Sequence, residues 1–238
     1  MFISALATRL RRIPVRFHWS LALFPLLLLG LDAIGARDAR GPGHEMIYAA
    51  FIFASILLHE LGHAVAAHSV GIRTREVTLH LVGGHARLER HPGSGREELL
   101  IALAGPAVNV AIAVVLLGLR FTGAIPASSL ANELAILNLA LALFNMLPLF
   151  PLDGGRALRA VLSFVMSHAG ATTVAASCGV VAGALMILLS MEYGAPVVGL
   201  VAFFLAFGSY VEGKAVMQAL AMAEAREKRS PVGAPRRA

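Results

Sequence analysis

Apolar runs of about 20 residues, the length that crosses a bilayer as a helix, alternate along this chain with short polar stretches rich in arginine. The runs at 17–35, 46–70, 98–119, 129–149, 171–190 and 196–213 predict six transmembrane helices. An even number of crossings puts both ends of the chain on one side. The stretch between the second and third runs, "IRTREVTLHLVGGHARLERH" at 72–91, lacks helical periodicity. There Val77, Leu79 and Leu81 alternate with Thr78, His80 and Val82, Gly83 and Gly84 offer a tight turn, and a second short run follows from His85 to Glu89. This pattern predicts a β-hairpin. The expected fold is therefore an all-α polytopic membrane protein with about six transmembrane helices and a small β-hairpin between the second and third. Residues 1–213 form the expected core, and 214–238, polar and rich in Pro and Arg, a disordered tail.

Composition agrees with that class. Of 238 residues, 58% are hydrophobic and 14% charged, with a mean hydropathy of +0.75, far more apolar than a soluble domain of this length. Seventeen of the 20 Lys and Arg residues fall before the first run, in 71–96, in 154–169 or after 213, which is one side of the predicted topology. Arg37, Arg40 and Arg120 fall on the other. The positive-inside rule then sets both termini in the cytoplasm of a multi-pass cell-membrane protein, with a bacterial inner membrane expected. The basic balance is explained by topology, so no nucleic-acid partner is expected. The first run, with its basic lead, imitates a signal peptide, but its length and Pro25 favour a retained crossing. One cysteine, Cys178, excludes an internal disulfide and a cysteine-based metal site.

Within the second run lies "HELGH", His59 to His63. Three ionisable side chains within five residues at membrane depth mark a functional site. At about 100° per residue, imidazoles at i and i+4 share a helix face, the geometry two zinc ligands need. Glu60 is offset by one step, outside the coordination shell but able to take a proton from an activated water. His68 falls on the opposite side and reads as interfacial. His59 sits about 17 to 20 Å from either end of its helix at about 1.5 Å per residue, so water needs a polar path to it, most naturally from the cytoplasmic side. A catalytic zinc needs a third protein ligand and an open position. Ala66 and Ser69 exclude the metzincin continuation. Glu76, Glu97 and Glu98 are candidates, but Glu76 lies in the predicted hairpin, and Glu97 and Glu98 open a helix where acids are ordinary. Asp153, in "NMLPLFPLDGG" from Asn145 to Gly155, is the better one. Pro148 and Pro151 break the helix there, and broken backbone at membrane depth belongs where it lines a cavity or is buried in protein. The competing reading makes Asp153 an N-cap for the segment that follows.

HELGH in one apolar run and "NMLPLFPLDGG" in a later one resemble the site-2 protease family of intramembrane zinc metalloproteases, peptidase family M50. "GPAVN" at Gly105 to Asn109 and the Gly83-Gly84 hairpin resemble further family features, and the likeness covers most of the chain. It implies one zinc ion per chain held by His59, His63 and Asp153, with Glu60 activating water. It also implies substrate contacts from Asn145 and from a hairpin strand at Gly83 and Gly84. Phe150 departs from the proline often found two residues before the aspartate's neighbouring leucine, which affects subgroup and not Asp153. The implied partners, besides the bilayer, are membrane-spanning substrates such as anti-sigma factors or membrane-bound transcription factors. No segment supplies a PDZ or CBS domain. From the residues alone, the hairpin is either a surface loop or an edge strand that pairs with an extended substrate. A metal-ion transporter and a catalytically silent substrate-binding protein are the alternative functions. Whether His80 or His85 contributes to the site, and the oligomeric state, are open at this stage.

Overall fold

A computed structural model describes residues 13–23, 26, 30, 42–80, 83–125 and 129–229. The chain divides into two compact units, Met1–Met146 and Leu147–Ala238. In the first, strand β1 (Val15–Phe17) and a 3-10 turn (Trp19–Ala22) precede helix α1 (Pro42–Ser69). Strands β2 (Thr74–His80) and β3 (Gly83–Leu88) then lead into helices α2 (Gly95–Phe121) and α3 (Ser129–Asn145). The second unit holds the short helix α4 (Asp153–Leu162) and the long helices α5 (His168–Glu192) and α6 (Pro196–Arg229).

Among the described residues, four helical segments are long and apolar enough to cross a membrane: Met46–Ser69, Gly95–Phe121, His168–Glu192 and Pro196–Ala223. Their lipid-facing character is plain from Val114, Val181, Leu188 and Phe204, all large, apolar and exposed. The chain is thus a mostly helical multi-pass membrane protein with a small sheet. The expected first crossing at 17–35 lies largely outside the described residues. The expected crossing at 129–149 is a shorter apolar helix, Leu130–Asn145, because Pro148 and the residues around it leave the helix before a full span is complete. α6 stays helical to Arg229, well beyond Lys214, where the polar tail was expected to start.

The sheet has three strands in the order β1-β2-β3, one more than the expected hairpin. β1 runs parallel to β2, pairing Val15 with Val77 and Phe17 with Leu79. β2 and β3 are antiparallel, with His80 opposite Gly83 and Leu79 opposite Gly84. Gly83 and Gly84 are therefore ladder residues, not the turn, and the connection is made by Leu81 and Val82, which lie outside the described residues. Period-two alternation puts Val77 and Leu79 on the buried face, where they meet Phe53, Ile56 and Leu57 of α1. On the other face Glu76 bridges Arg16 of β1 at 3.0 Å and Arg87 of β3 at 3.5 Å. The sheet is thus mounted on the helix that carries HELGH.

Candidate metal centre

His59, Glu60 and His63 are buried, at 6%, 8% and 5% exposure. Gly62 lets α2 come close: a Cβ there would lie 2.8 Å from the Ala104 carbonyl oxygen, the close approach small residues allow in membrane helices. Contact at that distance brings α2 polar groups within reach of both imidazoles. His63 Nδ1 donates to the Ile101 carbonyl at 2.6 Å, and His59 Nδ1 donates to Asn109 Oδ1 at 2.5 Å. A carbonyl oxygen only accepts, so each ring carries a proton on Nδ1 and turns its Nε2 toward the other ring. Those two Nε2 atoms are 3.1 Å apart. Neutral imidazoles protonated at Nδ1 ligate a cation through Nε2. Space for one is kept by Gly105, since a Cβ there would overlap Nε2 of His59 and of His63. Pro106 follows directly and cannot donate the helical N–H to Ala102.

Glu60 projects toward the sheet. A Cβ on Gly84 would overlap the Glu60 side chain, so β3 passes the carboxylate with only backbone between them. That contact, and not turn formation, is what requires glycine at 84.

In the second unit, Leu147–Leu152 is the broken segment expected from its prolines, and the Phe150–Pro151 bond is cis. The segment is held by α6: the Phe150 N–H donates to Ser209 Oγ at 2.9 Å. Gly208 and Gly179 lie against it, where a Cβ would be 3.0 Å from the Phe150 oxygen and 3.3 Å from the Pro148 oxygen, respectively. The Phe150 side chain packs on Ala175 and Ala176 of α5, with the Arg159 guanidinium 5.0 Å from its ring centre and bonded in turn to Glu212 at 2.6 Å. Asp153 opens α4 and is 6% exposed. Leu152 occupies the N-cap position, so Asp153 is not the cap that the competing reading made it. Gly183 packs on Ala206 of α6, so the GxxxG pattern at 179 and 183 serves packing within the chain.

His59 and His63 of the first unit and Asp153 of the second are all buried, and two imidazoles with one carboxylate are a donor set that suits zinc. Neither His80 nor His85 is in it: the His80 ring lies 4.9 Å from that of His18, and His85 pairs with Thr78 in the sheet. The rejected acids have other tasks. Glu76 binds arginines, while Glu97 accepts from the Gly93 N–H at 2.8 Å and pairs with Arg90. Glu98 is buried in the first turn of α2. Asn145 ends α3 and donates to the Leu141 carbonyl one turn back at 2.9 Å. The residues given no role from the sequence are Asn109, Gly105 and Ser209. Polar side chains inside apolar runs are the signal that points to Asn109 and Ser209.

The model of peptidase family M50 matches residues 47–124 and 121–189. A zinc metalloprotease of Methanocaldococcus jannaschii is 34% identical over 209 residues, which is 86% of this chain and 59% of that protein. Stage IV sporulation protein FB of Bacillus subtilis is 32% identical over 104 residues, 43% of this chain and 36% of that protein. The chain thus spans less than two thirds of the length of either relative. The solved structure of the site-2 protease from Methanocaldococcus jannaschii superposes with a TM-score of 0.63 at 32% identity, covering 84% of this chain and 91% of that one. Zinc is the metal that the name of the first of these relatives carries, and the donor set matches it. With matching motifs, fold and family model, the chain belongs to the site-2 proteases, peptidase family M50.

Proposed function

We propose that this chain is a zinc-dependent intramembrane endopeptidase that cuts membrane-spanning segments of anchored regulatory proteins. His59, His63 and Asp153 are the zinc ligands in this reading, and Glu60 is the catalytic base. The observation that carries it is the pair of buried Nε2 atoms 3.1 Å apart, on rings whose Nδ1 atoms bond to Asn109 and to the Ile101 carbonyl. Bound zinc would polarise the scissile carbonyl and lower the pKa of a water. Glu60 accepts the proton of the attacking water and returns it to the departing amide nitrogen. Burial of Glu60 beside the β3 backbone keeps bulk water from competing for that proton.

A substrate helix has every backbone group bonded within itself and must unwind locally before it can be cut. The outer edge of β3, which pairs with no other strand among the described residues, suits an extended backbone laid beside Glu60 by strand addition. Gly83 and Gly84 keep that edge slim, and Asn145 is the further substrate contact in this reading. The distribution of Lys and Arg supports cytoplasmic termini. Glu60→Gln tests the assignment in purified protein given a model transmembrane substrate. Cleavage should fall by about 10²- to 10⁴-fold with zinc content unchanged; undiminished cleavage overturns the role of Glu60, and zinc transport by that variant would favour a transporter.

A further inference from the structure

Asn109, Asn138 and Ser55 are 0%, 1% and 5% exposed, on α2, α3 and α1. Polar groups so deep in apolar helices are costly unless hydrogen-bonded, and these are bonded to one another in one direction. Asn138 Nδ2 donates to the Leu134 carbonyl at 2.8 Å and to Ser55 Oγ at 3.1 Å. The Leu134 oxygen can only accept, which fixes the orientation of the Asn138 amide and turns its Oδ1 to Asn109. Asn109 Nδ2 donates to that oxygen at 2.9 Å, which turns Asn109 Oδ1 to His59. That oxygen can only accept as well, so a His59 proton is held on Nδ1. A backbone carbonyl on α3 thereby dictates the tautomer of a histidine on α1 through two amides.

We infer that Asn109, Asn138 and Ser55 are a positioning chain that holds the His59 ring in its metal-binding tautomer and orientation and so sets the zinc affinity of the centre. The inference rests on His59 being a zinc ligand. Partners of this kind behind a ligating histidine are worth about 10- to 100-fold in metal affinity. The alternative, that the three residues only fasten the helices together, predicts lower thermal stability with zinc affinity intact.

The test is chelator competition on the purified full-length chain in detergent, paired with nitrogen NMR of the ¹⁵N-histidine-labelled, metal-free protein. Asn109→Ala should weaken zinc binding by about 10- to 100-fold and remove the Nδ1–H signature of His59. Asn109→Asp, which still accepts from Nδ1, should bind zinc more tightly than Asn109→Ala. Asn138→Ala, one link further away, should weaken zinc binding by a smaller factor. Wild-type zinc affinity in Asn109→Ala, or equal losses in the Ala and Asp variants, overturns the inference. Should Asn109→Ala not fold, wild-type affinity in Asn138→Ala overturns it instead. His59→Ala separates the two levels: if that variant keeps zinc, the ligand assignment itself fails, whereas loss of zinc there with none in the Asn109 variants defeats only the positioning chain.

Discussion

At the scale of single residues, two glycines shape this centre by lacking side chains. Gly105 leaves open the space beside His59 and His63 Nε2. Gly105→Ala should therefore weaken zinc affinity by about 10- to 100-fold while helix content is kept, since a methyl on that face competes directly with the ion. Metal analysis and circular dichroism on one sample check both halves. Gly84→Val should leave zinc in place and lower cleavage by about 100-fold, the scale expected when a reacting group is displaced by about 1 Å. Zinc content and turnover, measured together, distinguish the two variants. His59, Glu60 and His63 were legible because spacing on a helix is a local property, and Asp153 because prolines and glycines mark broken backbone wherever they occur. Gly84 was legible as special but for the wrong cause: two adjacent glycines between short strands read as a turn, whereas the constraint is a side chain from a helix distant in sequence. Asn109 stood in a motif whose partners, His59 and Asn138, come from other helices, and no local pattern links them.

At the scale of elements, the segment ahead of Asp153 depends on α6 for its shape. Its Phe150 N–H is buried against Ser209, and an unmet buried donor costs about 1–3 kcal/mol. Ser209→Ala should lower the midpoint of thermal unfolding, whereas Ser209→Thr retains a hydroxyl but must fit it beside Gly179. A thermal scan in detergent compares them, and an unchanged midpoint in the alanine variant would show that the segment is held by packing alone. Apolar runs of bilayer length identified α2, α5 and α6 from the sequence, but the run in α6 ends at 213 while the helix continues to Arg229. The polar residues after 213 stop the apolar run, not the helix, because Gln, Ala, Met, Glu, Lys and Arg are all good helix formers. β1 went unread for the opposite reason. Three residues, Val15 to Phe17, carry too little alternation to register, and only β2, almost sixty positions later, makes them a strand.

At the scale of the whole molecule, a metal held only in the folded state adds to stability through mass action, about 2.7 kcal/mol at a free concentration 100 times the dissociation constant. Removing zinc with a chelator should lower the unfolding midpoint of wild type and abolish cleavage, and adding zinc back should restore both. His59→Ala should show no such shift. An unfolding midpoint indifferent to chelator in wild type would contradict a metal gripped within the fold.

β1 also decides how many places the sheet has for a guest. Its pairing with β2 leaves only a three-residue outer edge on that margin of the sheet, so the longer unpaired edge among the described residues is that of β3, next to Glu60. Stripped of Val15 to Phe17, the protein would exchange that short edge for the seven residues of β2, a full-length berth away from the carboxylate. In the proposed reading a substrate moored there would be a decoy, bound and never cut, so a strand too short to hold a guest favours the berth beside Glu60.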